Sequence, residues 1–335
     1  MSATTSTPTS GPLLEVREMR TGLRTGRAVV QAVDGVSFTL ERGRTLGIVG
    51  ESGSGKSVTV RSIMGILPDQ ITVTTGQVLF EGTDVTALPR ERARHFWGVD
   101  VAMVFQDPMT SLNPVVRIGR QITESLRYHL SMSKAEARAR ALELLDLVGI
   151  GDPGRRFDQY PHELSGGMRQ RVTIAIALAC EPKLLIADEP TTALDVTVQK
   201  QILDLLAHLA DTTDMAMILI THDLGVVAGR ADEIAVMYAG RFVEVADTAT
   251  LFSQMRHPYT RALFDSIPKI EQPSHTPLRA ISGRPPDLSR PRVGCSFAPR
   301  CANAQPDCRE NEPALLGDAA NAPGHLVACF HPVGG

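Results

Sequence analysis

The chain has 335 residues, 43% of them hydrophobic and 21% charged, a globular balance long enough for one large core or two ordinary ones. Its formal net charge of −3 supplies no basic field for gripping phosphodiester backbones, which argues against a dedicated nucleic-acid binder. The longest strongly apolar run, "VTIAIALAC" at 172–180, falls far short of the roughly 18–20 residues that span a bilayer.

Taken in order, "MSATTSTPTSGP" at 1–12 lacks the charged flank and apolar stretch of a signal peptide and reads as a disordered leader. A cytoplasmic chain with reduced thiols is therefore expected. The segment "TLGIVGESGSGKSVTV" then sets an apolar strand, Leu46 to Val49, before a glycine-rich loop and a helix from Lys56. Gly50 to Ser57 fit G-x-x-x-x-G-K-[ST], a phosphate cradle. Gly50, Gly53 and Gly55 let the backbone turn close to an anion, and the N–H groups of Glu51, Ser52 and Ser54 belong to the same loop. In such a loop Lys56 contacts the β- and γ-phosphates and Ser57 holds Mg²⁺, so the chemistry implied is ATP binding.

Further on, "SKAEARARALELLDLVGI" spaces Ser133 and Glu136 as a capping box and lines up Ala137, Ala141, Leu144, Leu145 and Val148 on one helical face. In "ELSGGMRQRVTIAIALA", Ser165, Gly166 and Gly167 open a helix and present free N–H groups and a positive dipole end to an anion. Cys180, on the apolar segment behind them, reads as a buried structural residue. A buried-type strand, Leu184 to Ala187, delivers Asp188 and Glu189 to its C-terminal end, where open α/β sheets place ligands. Asp188 suits a Mg²⁺ role and Glu189 a base polarising the attacking water. The next strand, in "AMILITHD", brings His222 to the same edge as a γ-phosphate contact. His95, His129, His208 and His325 stand in no such context.

With these motifs together, residues 13–265 resemble an ATP-binding-cassette ATPase, and "ELSGGMRQRVTIAIALA" resembles that family's signature. The resemblance implies an α/β P-loop NTPase fold with an inserted α-helical subdomain at about 107–170. It adds Gln106, in "MVFQDPMTSLNP", as a sensor of Mg²⁺ and water, and Asp195, in "TTALD", as a nucleotide-site residue. It also implies that Ser165, Gly166 and Gly167 close over the ATP of a second cassette. Family members often stack adenine on an aromatic ring before the loop lysine; here Arg27 or Val29 sits near that position.

After a hairpin expected around Ala239-Gly240, "HPYTRALFDSIP" resembles the segment that marks ATPases of oligopeptide, dipeptide and nickel importers. "SGRPPDLSRPRVG" reads as an extended connector whose Arg284, Arg290 and Arg292 are solvated. The remaining extension, 266–335, carries Cys295, Cys301, Cys308 and Cys329 at gaps of five, six and twenty residues, which alone choose no metal. In a segment poor in hydrophobic residues, four thiols argue for metal-nucleated folding. Tails of this branch resemble [4Fe–4S] sites; zinc and unligated thiols are the alternatives. Because the nucleotide motifs end at His222, the cysteines are expected to lie away from the ATP site.

The resemblance implies an ATPase subunit of a peptide importer at the cytoplasmic face of the membrane. Its implied partners are a homologous second ATPase, two transmembrane permeases and an extracytoplasmic peptide-binding protein, with no nucleic acid. A nickel-chelate importer is the neighbouring alternative. A cassette acting on nucleic acid or ribosomes would be expected to show a second cassette or a DNA-binding insertion, and a nonhydrolytic module would have lost Lys56, Glu189 or His222.

Overall fold

The computed structural model describes residues 11–26, 28–89, 93, 96–192, 194–267, 281–290, 292–317 and 322–334. The expected leader lies outside the described residues except for positions 11 and 12, and so do Arg27 and His95. Among the described residues twelve strands run in chain order: β1 Leu14–Thr25, β2 Ala28–Leu40, β3 Thr45–Val49, β4 Thr72–Phe80, β5 Thr83–Asp84 and β6 Val101–Val104. There follow β7 Leu184–Asp188, β8 Ala216–Thr221, β9 Glu233–Tyr238, β10 Arg241–Asp247, β11 Leu316–Gly317 and β12 Leu326–Val327.

They form two sheets, one ordered β2-β1-β4-β5 and one ordered β11-β12-β10-β9-β3-β8-β7-β6. In the larger sheet β9, β3, β8, β7 and β6 are parallel neighbours, so their C-terminal ends share one edge. The sequence explains this centre: TLGIV, LLIAD and AMILIT are continuous apolar runs, buried at every position, as strands covered on both faces must be. Their side chains alternate between two cores. Leu46, Ile48, Leu184, Ile186, Ile218 and Ile220 pack toward the smaller sheet and the helix Lys56–Ile63. Val49, Leu185, Ala187 and Leu219 pack on the opposite face among helical residues such as Ile202, Leu206 and Leu126.

Between β6 and β7 lie the helices Pro108–Ser111, Ile118–His129, Lys134–Leu147, Pro153–Phe157 and Gly166–Ala177. The capping box forms reciprocally: the Glu136 N–H donates to Ser133 Oγ at 3.3 Å and the Ser133 N–H to Glu136 Oε2 at 2.8 Å. Ala137, Ala141, Leu144, Leu145 and Val148 are all fully buried.

The C-terminal residues are stitched into this body. β12 pairs antiparallel with β10, Glu244 opposite Val327, and the Ala328 N–H donates to the Val243 carbonyl at 2.8 Å. The connector departs from the solvated reading at Arg292. Its guanidinium is mostly buried, lies 3.5 Å from Asp34 and hydrogen-bonds the Ala239 carbonyl. The reason is Asp34, a carboxylate with Arg20, Arg241 and Arg292 around it, which hold it below the ordinary aspartate range against the opposing effect of burial. Arg290 is exposed as expected, and pairs with Asp287 at 3.3 Å, which the sequence reading did not foresee.

Candidate active site

The phosphate-type loop follows β3 and is wedged between β2 and the turn joining β9 to β10. A Cβ on Gly50 would stand 2.1 Å from the Met237 carbonyl oxygen, and one on Gly55, whose φ is +107°, 2.3 Å from that of Ala32. Only glycine fits either position. The Gly240 N–H donates to the Ser54 carbonyl at 2.7 Å, closing the brace. Lys56, 4% exposed, donates to the carbonyls of Gly50 at 2.7 Å and Glu51 at 3.0 Å, and its ammonium lies 3.9 Å from Glu189. Burial lowers its pKa, while the charges of Glu189, Asp188 and Glu51 oppose that shift.

Ser57 Oγ donates to Asp188 at 2.7 Å, and Arg61 approaches the other carboxylate oxygen at 3.4 Å. Burial raises the Asp188 carboxyl above its ordinary value against the pull of those two groups. A carboxylate so short of compensation, beside a hydroxyl, is a donor set suited to a hard divalent cation such as Mg²⁺.

Glu189 follows at the end of β7 with φ +47°, a left-handed conformation that costs a non-glycine residue on the order of 1 kcal/mol or more. Its Oε2 accepts from Gln106 Nε2 at 3.0 Å and Thr192 Oγ1 at 3.1 Å, and lies 3.6 Å from His222 Nδ1. Lys56, Ser57, Gln106, Asp188, Glu189 and His222 thus converge on the C-terminal edge of four parallel strands. Thr192 joins them without having been singled out; its "PTT" setting carries no distinctive spacing signal.

Other predicted residues stand elsewhere. Ser165 caps the helix Gly166–Ala177 by accepting from the Met168 N–H, while Gly166 and Gly167 neighbour Leu194 and Val198. Asp195 caps the helix Val196–Thr213, accepting from the Thr197 and Val198 N–H groups at 3.1 and 3.0 Å. Among the described residues no hydrogen bond or ion pair joins Ser165, Gly166, Gly167 or Asp195 to Gly50–Ser57. Ser52 and Gly53 are exposed at the loop's crown, and Val29 is half exposed.

The four tail cysteines line one small cavity together with His257, Phe297 and His331. All are free thiols, and burial raises Cys295 and Cys301 above the ordinary thiol value and pushes Cys329 up to about 11. The expected separation from the ATP site is not found. Arg300, immediately before Cys301, pairs with Glu51 in the phosphate loop, so the Glu51 side chain faces the tail. A second pin is the fully buried pair of His325 Nε2 and Glu244, 2.8 Å apart, whose carboxylate also accepts from the Arg256 and His257 N–H groups. Sequence reading missed these because neither partner's neighbours announce the other. The only available signal was a lone arginine between two cysteines.

Similarities to known proteins agree with this geometry. Residues 33–192 match the ABC transporter family model, and residues 243–308 match the oligopeptide/dipeptide transporter C-terminal region. The probable peptide ABC transporter ATP-binding protein y4tR of Sinorhizobium fredii is 51% identical over 97% of this chain and 96% of its own length. The dipeptide transport ATP-binding protein DppD of Bacillus subtilis is 50% identical over 95% of this chain and 94% of its own. Among solved structures, the dimeric post-hydrolysis state of the ATP-binding cassette MJ0796, bound to ADP and Pi, superposes with a TM-score of 0.62 at 27% identity, covering 70% of this chain and 98% of that one. No helix among the described residues is long and apolar enough to cross a membrane.

Proposed function

The chain belongs to the ATP-binding subunits of peptide ABC transporters, and from that premise we propose that it binds and hydrolyses ATP to power peptide uptake through partner membrane subunits. The observation that carries this reading is the convergence of Lys56, Ser57, Gln106, Asp188, Glu189 and His222, drawn from separate motifs, on one sheet edge. The loop N–H groups other than those of Glu51 and Ser54, which are already donated to the Tyr259 hydroxyl and the Glu51 carbonyl, hold the β- and γ-phosphates together with Lys56. Ser57, Gln106 and Asp188 are the residues to hold Mg²⁺, which when bound neutralises charge on the phosphate oxygens. Glu189 takes a proton from the attacking water as its oxygen bonds the γ-phosphorus and the bond to the bridging oxygen breaks; His222 steadies the γ-phosphate.

Glu189→Gln should bind MgATP as the parent does and turn over about 10²–10⁴-fold more slowly. Parental turnover in that variant would remove Glu189 from the base role.

Ser165, Gly166, Gly167 and Asp195, unattached to the loop of their own chain, serve a second cassette. The dimeric, nucleotide-bound state of the MJ0796 relative supports that reading. The partner is a homologous ATPase, and the assembly includes two permeases and an extracytoplasmic peptide-binding protein, with this chain at the cytoplasmic face. ATPase activity that rises with protein concentration is the expected result, and full activity in a verified monomer would refute it.

Cys295, Cys301, Cys308 and Cys329 are the residues to hold a [4Fe–4S] cluster, whose positive iron would supply the countercharge that buried thiolates lack. The sharing of one cavity by all four thiols supports a single guest held by sulfur, while Cys308 also stands close to Asp307 and His331, a mixed donor set that a zinc ion would use instead. Anaerobic preparations should contain about equal iron and acid-labile sulfide. Stoichiometric zinc without iron would overturn the cluster.

A further inference from the structure

Arg300 closes the short helical turn Ala298–Arg300, and its side chain is only 3% exposed. It meets Glu51 fork to fork, Nη1 to Oε2 at 2.6 Å and Nη2 to Oε1 at 2.9 Å, the geometry in which arginine binds carboxylate most strongly. Its other hydrogen bonds hold it to the connector and the sheet: Nε donates to the Ser282 carbonyl at 2.9 Å, Nη2 to that of Ile281 at 3.2 Å and Nη1 to the hydroxyl of Tyr238, the last residue of β9, at 3.4 Å. The hydrogen bonds to Glu51, helped by the Tyr238 hydroxyl, keep the guanidinium firmly protonated against the opposing effect of burial.

Every polar group of Glu51 is committed. Its carboxylate is held by Arg300, its N–H donates to the fully buried Tyr259 hydroxyl at 2.8 Å, and its carbonyl accepts from Lys56 Nζ at 3.0 Å and the Ser54 N–H at 3.1 Å. One residue therefore joins the phosphate-binding lysine to two side chains of the C-terminal region. On the far side, the Phe297 ring packs against Tyr238 and Tyr259 with centroids 5.3 Å away in each case. The Cys295 N–H donates to the Cys308 carbonyl at 2.7 Å, and that of Cys301 to Ala298 at 3.3 Å. Cys295, Arg300, Cys301 and Cys308 lie on one continuous stretch of backbone.

We propose that Arg300 and Tyr259 are positioning residues for the phosphate loop, acting through Glu51 to set where Lys56 presents its ammonium. The order of the four-cysteine cluster is thereby expressed as affinity for MgATP. The proposal rests on the ATP-site reading and is indifferent to which metal the cysteines hold.

Calorimetric titration of MgATP into the full chain tests it. Arg300→Ala should weaken binding about tenfold. Arg300→Lys, which keeps the charge and loses the fork, should recover part of that loss. Glu51→Gln weakens the same link from the loop side without touching the tail, and should match Arg300→Ala; the double variant should bind no worse than the weaker single one. Cys301→Ser should move affinity in the same direction. Parental affinity in Arg300→Ala and Glu51→Gln, even with a lowered melting temperature, would reduce the pair to a staple and overturn the proposal. So would fully additive losses. Lys56→Ala in the same assay keeps the two readings apart. Strong loss there beside a silent Arg300→Ala overturns the proposal alone, whereas parental binding by Lys56→Ala overturns the ATP site and the proposal with it.

Discussion

The strand-end edge that carries Lys56, Asp188 and Glu189 and the tail that carries the cysteines reach order by opposite routes. Each group of the edge sits within a few residues of a strand that is buried from end to end, so the core beneath fixes it. Among the described residues the tail contributes two strands of two residues each, and beside the Phe297 packing and the β12–β10 pairing it is fastened by polar links over long stretches of chain. Arg300 reaches Glu51 across 249 positions and His325 reaches Glu244 across 81. A region ordered by many small apolar contacts degrades gradually under mutation, whereas one ordered by a few buried polar links fails link by link.

The largest effect should come from Glu244→Ala, which strands His325 and the Arg256 and His257 N–H groups in the interior. A stability loss on the order of 3–5 kcal/mol is expected in urea unfolding, with the tail released first in hydrogen exchange. A loss under 1 kcal/mol would mean that the tail is not anchored there.

Acid should act next, through His257. Its Nδ1 accepts from the Tyr259 N–H at 3.0 Å, a hydrogen bond to the Ala328 carbonyl engages the ring as well, and burial lowers its pKa to about 3. The unfolded chain takes up a proton near pH 6.5 while the folded one does not. The stability this contributes is complete above pH 6.5 and lost as pH falls toward 3, about 2 kcal/mol between pH 6.5 and 5 at 1.36 kcal/mol per unit. His257→Gln should flatten that part of the profile.

The edge should respond with the opposite sign. Because burial holds Asp188 above its ordinary value, Asp188→Asn should raise the free energy of unfolding by roughly 1 kcal/mol, seen as a higher melting midpoint, while hydrolysis collapses. Lost stability would show that Arg61 and Ser57 compensate the charge fully. The smallest effect is expected at Ser133→Ala, about 1 kcal/mol or less, confined to the helix Lys134–Leu147.

The same contrast decides what was legible. Gly50 to Ser57, the strand ending at Asp188 and the Ser133–Glu136 box were readable because each is a local pattern with a local cause. The meeting of Gln106 with Glu189 needed the family resemblance, since 83 positions separate them. Arg292 was misread as solvated because its partners, Asp34 in β2 and Ala239 in the turn between β9 and β10, lie far away in sequence. His325, with no motif around it, proved to be among the most deeply buried polar side chains described. Composition suggested a tail with too little apolar surface to fold alone; what it borrows is the finished sheet.

That borrowing has a consequence for solubility. β10 would otherwise leave a row of backbone donors and acceptors open at the margin of the larger sheet, a template for pairing with another chain. β12 occupies part of that margin, Glu244 and Val245 taking Val327 and Leu326, and β11 ends the sheet with two residues, too short to recruit a neighbour. A chain cut after residue 317 would retain the catalytic edge yet lose this selvedge, and light scattering should find it self-associating where the full chain stays dispersed.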